Sequence, residues 1–483
     1  MRSRALAIAM LLVGIGVAAW VAPVIAVSAT RNAHVTADEP QYLITAISLG
    51  EDANLDVTDE RRELRSREFH DAPLPVQELV RPGEPRVVPH DPLLPALLAA
   101  PMRIGGWVGA KVAMAMMAGA LAAALVWVAV RRFAVPPAIA VGTVVAFSAT
   151  APLAFYGTQI YPELPGALAV TIAVAALTGS LRRRGLVILA LAVVALLWLS
   201  VKYAPVAGGL VAVALVLLWR RGDRRQAAAL AATLVGAGLV YLAAHHALYG
   251  GWTVYASGGH FIAGETSVMG NAPNYVGRSH RLLGLLTDRG FGLAAWQPAF
   301  LLAVPALVAF LRRRPRGWAA LGIPLALGWL NATFVALTMH GWWWPGRQVV
   351  VVLPCVVLAV AWWVGAYAPA RTWLALGAAL GIFTFVWFTA EGILDHRHLI
   401  TGFQHTTNPW YQAWRLVLPD DRLEPAGTDL LRIAWLAIAG LLAVWGWRSV
   451  GSVPRRSEPA SSVRTIEQEN HECEPHSVLV RSS

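Results

Sequence analysis

The chain has 483 residues, of which 57% are apolar and only 14% charged, with a formal net charge of +11. An ordinary soluble domain carries about 25% charged residues, whereas the mean hydropathy here is +0.55. Apolar runs long enough to cross a bilayer recur along the chain, which excludes a string of soluble domains and points to a polytopic membrane protein. The two cysteines, Cys355 in an apolar run and Cys473 in a polar tail, exclude a disulfide framework and a Cys-based zinc site.

Apolar runs fall at about 5–29, 107–130, 136–158, 161–180, 186–200, 204–218, 227–248, 296–311, 317–338, 348–368, 372–394 and 430–447, and each reads as a helix. The first follows Arg2 and Arg4 and is too long for the apolar core of a signal peptide, so it reads as a retained helix. With the N-terminus in the cytoplasm, every second connection holds an arginine cluster. These are Arg131-Arg132, Arg182-Arg183-Arg184, Arg220-Arg221 with Arg224-Arg225, and Arg312-Arg313-Arg314 with Arg316. The inner connections and termini then hold 21 Lys/Arg against 6 Asp/Glu, and the outer ones 18 against 22. That is the positive-inside pattern. The basic charge is thus a topology signal, and nucleic acid is excluded as a partner. Among the cationic side chains only Lys111 and Lys202 are lysines, a bias that suggests a GC-rich bacterial source. The expected location is the bacterial plasma membrane, with both termini cytoplasmic.

Three outer segments are long, at about 30–106, 249–295 and 395–429, so the working face is expected outside. The first opens on His34-Val-Thr-Ala-Asp38-Glu39-Pro40-Gln41-Tyr42, two adjacent carboxylates at the membrane surface ahead of a helical stretch. Asp38 with Pro40 is also good N-cap chemistry, and that reading stands beside a catalytic one. The acid- and arginine-rich part, Glu51 to Glu84, contains several prolines and reads as partly irregular, and Pro92 to Gly106 as a short interfacial segment. Next comes Tyr156-Gly-Thr-Gln-Ile-Tyr161-Pro162-Glu163, between the third and fourth helices. Glu163 heads an apolar helix with no basic neighbour in sequence. A carboxylate at that depth is used, paired or capping.

Between Arg184 and Arg220 both flanks are basic, so the chain must cross twice, and Lys202-Tyr203 with Pro205 breaks the run. Each half rises about 22 Å against a hydrocarbon core of roughly 30 Å, which puts Lys202 in the outer part of the membrane. Simple snorkelling suits it there. His245-His246 end the seventh helix, with His260 and Glu265 beyond. Adjacent residues face different sides of a helix, so this pair cannot chelate one ion, and a supporting role is expected. The same holds for His396, His398 and His405. Trp342-Trp343-Trp344-Pro345-Gly346-Arg347 reads as an interfacial aromatic belt ending on a cation. Residues 1–448 make one transmembrane domain on this reading, and the Ser-, Pro- and Glu-rich 449–483 a disordered cytoplasmic tail. No internal repeat is visible, which counts against many transporter folds.

Taken in order, these motifs resemble the GT-C superfamily of integral-membrane glycosyltransferases, particularly the protein mannosyltransferase and aminoarabinose transferase branch. Its Asp-Glu-x-x-Tyr motif after the first helix is matched by Asp38-Glu39-Pro40-Gln41-Tyr42, and its second acid by Glu163 in Tyr-Pro-Glu-Leu-Pro. His90-Asp91-Pro92-Leu93-Leu94-Pro95 is similar to the loop before the second helix. Asp288-Arg289-Gly290-Phe291-Gly292 with Gln297-Pro298, and Trp342 to Arg347, are similar to later recurring segments. The resemblance covers roughly residues 1–450 as a plan of helices and loops. No acceptor-recognition domain is recognised after the last helix, which leaves the acceptor open.

The resemblance implies an all-α polytopic bundle of about twelve helices, with a large first outer loop carrying short interfacial helices. It implies a sugar donor on a polyprenyl phosphate, and a hydroxyl acceptor on an envelope glycan, lipid or protein at the outer face. Asp38 is the expected base, with Glu39 and Glu163 assisting. Lys202, Tyr203 and Arg347, with Arg289 behind them, would hold the phosphate. Tyr42, His90, Tyr161, Trp343 and Trp344 would wall the substrate site. Some relatives place a divalent cation (magnesium, manganese or calcium) between acids and phosphate, for which Asp38 and Glu163 would be the ligands. Two alternatives remain: a transporter or flippase of lipid-linked sugars using Lys202 and Glu163 as an intramembrane ion pair, and a non-catalytic scaffold. A carrier needs polar groups along both halves of its path, whereas the charges within these runs are few and lie toward the outer side.

Overall fold

A computed structural model of the chain describes residues 3–78, 83–256, 275–336, 338–421 and 426–451. Among these residues the backbone is nearly all helical, with isolated bridges and no extended strand. Helix α1 (Ser3–Val21) runs on through a 3-10 turn, and α2 (Glu39–Glu51) and α3 (Thr58–Arg62) occupy the first long connection. Then come α4 (Leu93–Arg132), α5 (Pro137–Ser148), the short α6 (Leu153–Tyr156), α7 (Glu163–Leu177), α8 (Arg183–Leu199), α9 (Ala204–Arg220) and α10 (Arg224–Tyr249). After α11 (Arg281–Thr287) follow α12 (Ala303–Arg313), α13 (Trp318–Leu330), α14 (Leu353–Ala366), α15 (Ala370–Ile393) and α16 (Ala426–Ser449). Every apolar run of the sequence thus carries a helix. Among the described residues, eight segments are long and apolar enough to cross a membrane unaided. The chain is a multi-pass membrane protein. His260, Glu265 and the tail beyond residue 451 lie outside the described residues.

The two breaks expected from sequence are present, each with a local cause. Ser200 is extended and Val201–Tyr203 forms a 3-10 turn, so α9 restarts with Pro205 in its first turn. A proline there is tolerated because its missing N–H would be unpaired anyway. The segment from Pro92 to Gly106 joins α4, but Gly105 and Gly106 leave helical geometry, with Gly106 at φ 58° and ψ −154°. That conformation is open essentially to glycine alone, so a short arm precedes the crossing part of α4.

Burial separates a hub from a rim. The segment Arg347–Ala366 is 83% buried, against 22% for the first span and 11% for the last. The rim exposes Leu11, Leu12 and Ile15 on the first span and Leu436 and Leu441 on the last, large apolar side chains that suit lipid and not water. α1 packs on α4 at very short range: a Cβ on Gly119 would lie 2.3 Å from the Gly14 carbonyl oxygen. Glu163 opens α7 and Lys202 immediately precedes α9, while both helices run on toward arginine-rich connections. Glu163 and Lys202 therefore lie at the helix ends opposite the arginine clusters.

Candidate active site

Asp38 sits at the N-cap position of α2, yet its side chain makes no capping bond there. Its Oδ2 instead accepts a hydrogen bond from Arg347 Nη2 at 2.8 Å. Glu39 takes the structural task. Its Oε2 accepts from the Thr36 amide at 3.2 Å and its Oε1 from the Ile160 amide at 2.8 Å. This ties the start of α2 to the turn before α7. Burial holds the Glu39 carboxyl above the usual range, opposed by the Lys111 charge and by those amides.

Glu163, buried at the start of α7, is the second anchor. Its Oε1 accepts from Lys202 Nζ at 2.6 Å and from Arg347 Nε at 2.8 Å. Arg347 follows Gly346, whose φ of 87° turns the chain out of the tryptophan run and into the hub. The guanidinium lies 4.0 Å from the Tyr161 ring centroid and 4.8 Å from that of Trp343. One planar fork therefore bridges carboxylates 309 and 184 positions away in sequence, a geometry that a lysine's point charge cannot reproduce. Glu163 Oε2, the Tyr203 hydroxyl and Trp343 Nε1 are buried with no hydrogen-bond partner among the described residues. Buried polar atoms are nearly always paired, so these three mark where a polar ligand would be satisfied.

Asp91 supports Lys202 through its neighbour Val201. Asp91 Oδ2 accepts from the Val201 amide at 3.1 Å, while its Oδ1 accepts from Tyr241 Oη at 2.7 Å and lies 3.0 Å from His245 Nε2. His245 is buried, whereas His246 turns away and stacks on Trp252 at 4.6 Å. The two histidines thus face apart, as adjacent helical residues must. His90 stacks near Tyr42, ring centroids 4.6 Å apart, and bonds Gln77 through Nε2 at 2.9 Å.

Two expected site residues are placed differently. Trp344 is fully buried among Phe155, Trp296, Phe388 and Phe403. It is a core aromatic, while Trp343 stands against Arg347 and Trp342 is exposed. The three adjacent tryptophans thus have three surroundings, in a segment that is bent and not helical. Arg289 pairs with Asp420 and its carbonyl accepts from Tyr411 Oη, so its guanidinium is committed to the last long connection. A divalent cation between Asp38 and Glu163 does not fit this arrangement. The Arg347 guanidinium already occupies the place between them, and among the described residues no group of three metal-ligating atoms forms there.

Sequence reasoning missed Lys111. It is 1% exposed inside α4, donates to the His34 carbonyl at 2.8 Å, and its charge acts on Glu39. Its one signal was rarity, as one of two lysines in an arginine-rich chain. Asp91 was visible only as part of a motif.

No protein-family profile matches the chain, and no curated protein matches it. Solved structures do. The crystal structure of ArnT from Cupriavidus metallidurans bound to undecaprenyl phosphate is similar over 91% of this chain and 75% of that one, at 14% identity and a TM-score of 0.52. The apo structure of the same protein aligns over 91% and 74%, at 14% identity and a TM-score of 0.48. At that identity the likeness is one of fold. The chain has the polytopic helical fold seen in ArnT, and the resemblance read from its motifs holds at that level.

Proposed function

We propose that this protein is a membrane glycosyltransferase that moves a sugar from a polyprenyl-phosphate donor to a hydroxyl acceptor at the outer face of a bacterial plasma membrane. The acceptor belongs to an envelope glycan, a lipid or a protein. Residues 1–448 would act as one transmembrane unit with both termini inside. The observation that carries this reading is the Asp38–Arg347–Glu163–Lys202 cluster at the helix ends opposite the arginine clusters. A likeness in fold to an ArnT bound to undecaprenyl phosphate supports the donor class.

The cluster suits transfer to a hydroxyl. The donor phosphate takes over Lys202 and Arg347, which now rest on carboxylates, and those cations stabilise charge developing on the leaving phosphate. Asp38, once released from the guanidinium, is the carboxylate placed to take the acceptor proton. The acceptor oxygen bonds to the anomeric carbon and the bond from that carbon to phosphate oxygen breaks. The electron pair leaves on phosphate and the proton goes to Asp38. Glu163 Oε2, Tyr203 and Trp343 offer unpaired polar atoms for the sugar and phosphate oxygens. The test is to incubate purified protein with a panel of polyprenyl-phosphate sugars and measure free polyprenyl phosphate. Release with one sugar supports the reading. Movement of lipid-linked sugar across vesicles with no release would assign the Lys202–Glu163 pair to a carrier instead.

A further inference from the structure

A second acidic cluster stands at the far end of α2, about 20 Å of helix away from Asp38. Asp52 follows α2, and α3 supplies Asp59 and Glu60. One carboxylate oxygen from each lies within 4.8 Å of the others. The intervening loop is held by its own bonds. The Ser48 hydroxyl lies 2.9 Å from Asn54 Oδ1 and 2.9 Å from the Asp56 carbonyl. Asp56 Oδ1 accepts from the Thr58 amide at 3.0 Å and from the Arg86 amide at 2.9 Å.

Glu60 is the unusual member. It is 3% exposed, and both of its carboxylate oxygens are buried with no hydrogen-bond partner among the described residues. An ionised carboxylate in that state is costly unless a cation meets it. The nearby arginines are committed elsewhere: Arg61 to Glu78 and Gln41, Arg65 to Glu51, and Arg62 to Glu63. Two further acids face Glu60 where a base would be expected.

We propose that Asp52, Asp59 and Glu60 form a binding site for a divalent cation, calcium by ligand chemistry. Three carboxylates with no His or Cys select a hard oxygen-seeking ion over zinc. Calcium tolerates an irregular ligand set completed by water, whereas magnesium demands a near-ideal octahedron. The ion would join the end of α2 to α3 and so fix the helix whose other end carries Asp38. This inference does not depend on the transferase reading.

The test uses the full-length protein in detergent, stripped with chelator, with calcium followed by equilibrium dialysis and melting temperature. Saturable binding of one ion is expected, with a Kd of about 10⁻⁴–10⁻³ M or tighter. Asp52→Asn, at an exposed position, should weaken it at least tenfold, and so should Glu60→Gln. Calcium should raise the melting temperature of the wild type and not that of Glu60→Gln. Absence of saturable binding to wild type would overturn the proposal and assign the cluster to a proton shared between Glu60 and Asp59. Unchanged affinity in both variants would overturn it by placing the ion elsewhere. Magnesium binding as tight as calcium would overturn the choice of ion.

Discussion

Arg347 is the residue on which the cluster turns, because it contacts both acids while Lys202 contacts only one. Asp38→Asn tests whether its carboxylate does chemistry. Asparagine caps helices about as well as aspartate, and Asp38 makes no capping bond in any case, so expression and melting temperature should stay near wild type. Transfer measured as polyprenyl phosphate release should fall by about 10²-fold or more, the scale of a lost general base. Full activity in that variant would remove Asp38 from the mechanism. Lys202 separates binding from snorkelling. Lys202→Ala should weaken donor binding strongly and Lys202→Arg only partly, since charge is kept but geometry is not. Equal donor affinity in Lys202→Ala and wild type would leave the residue as a partner of Glu163 alone.

At the scale of helices, the close approach of α1 and α4 sets a packing limit. An added methyl at Gly119 meets backbone, which cannot rotate away, whereas Gly142 in α5 has open space around it. Gly119→Ala should therefore lower the melting temperature of the detergent-purified protein, while Gly142→Ala should leave it unchanged or slightly raised, because Ala favours helix over Gly by up to about 1 kcal/mol. A Gly119→Ala protein as stable as wild type would show that the two helices separate without cost. Much at this scale was legible beforehand. Apolar runs and their arginine punctuation located the helices, and Lys202 with Pro205 located the break, since polar residues in a greasy context stand out. The same contrast exposed Asp38, Glu163, Lys202 and Arg347. Lys111 stayed hidden because an isolated lysine within α4 shows no partner in sequence, and His34 is 77 positions away. The fate of Trp344 depended on the bend of its segment, and the commitment of Arg289 on Asp420, 131 positions along. Neither has a local signature.

For the molecule as a whole, the arginine asymmetry predicts sidedness. On a background lacking Cys355 and Cys473, single cysteines at Glu63 and Asp395 should react with an impermeant thiol reagent applied to intact cells. Cysteines at Arg183 and Arg221 should react only after permeabilisation. All four positions are exposed, so accessibility within the fold does not confound the result. Labelling of position 183 from outside would invert the topology and move the Asp38 cluster to the cytoplasmic face.

The bridge made by Arg347 also bears on how a turnover would end. A lipid-phosphate sugar is a diester with one negative charge, whereas the phosphate left behind is a monoester with up to about two at neutral pH. Product would thus hold the two cations harder than donor did, and such sites risk being locked by what they make. Asp38 and Glu163 are built-in rivals for the same cations, already at bonding distance in the resting protein. On the proposed reaction, each pull by a carboxylate would loosen the spent lipid, so the ion pairs that close the idle site would double as its reset spring.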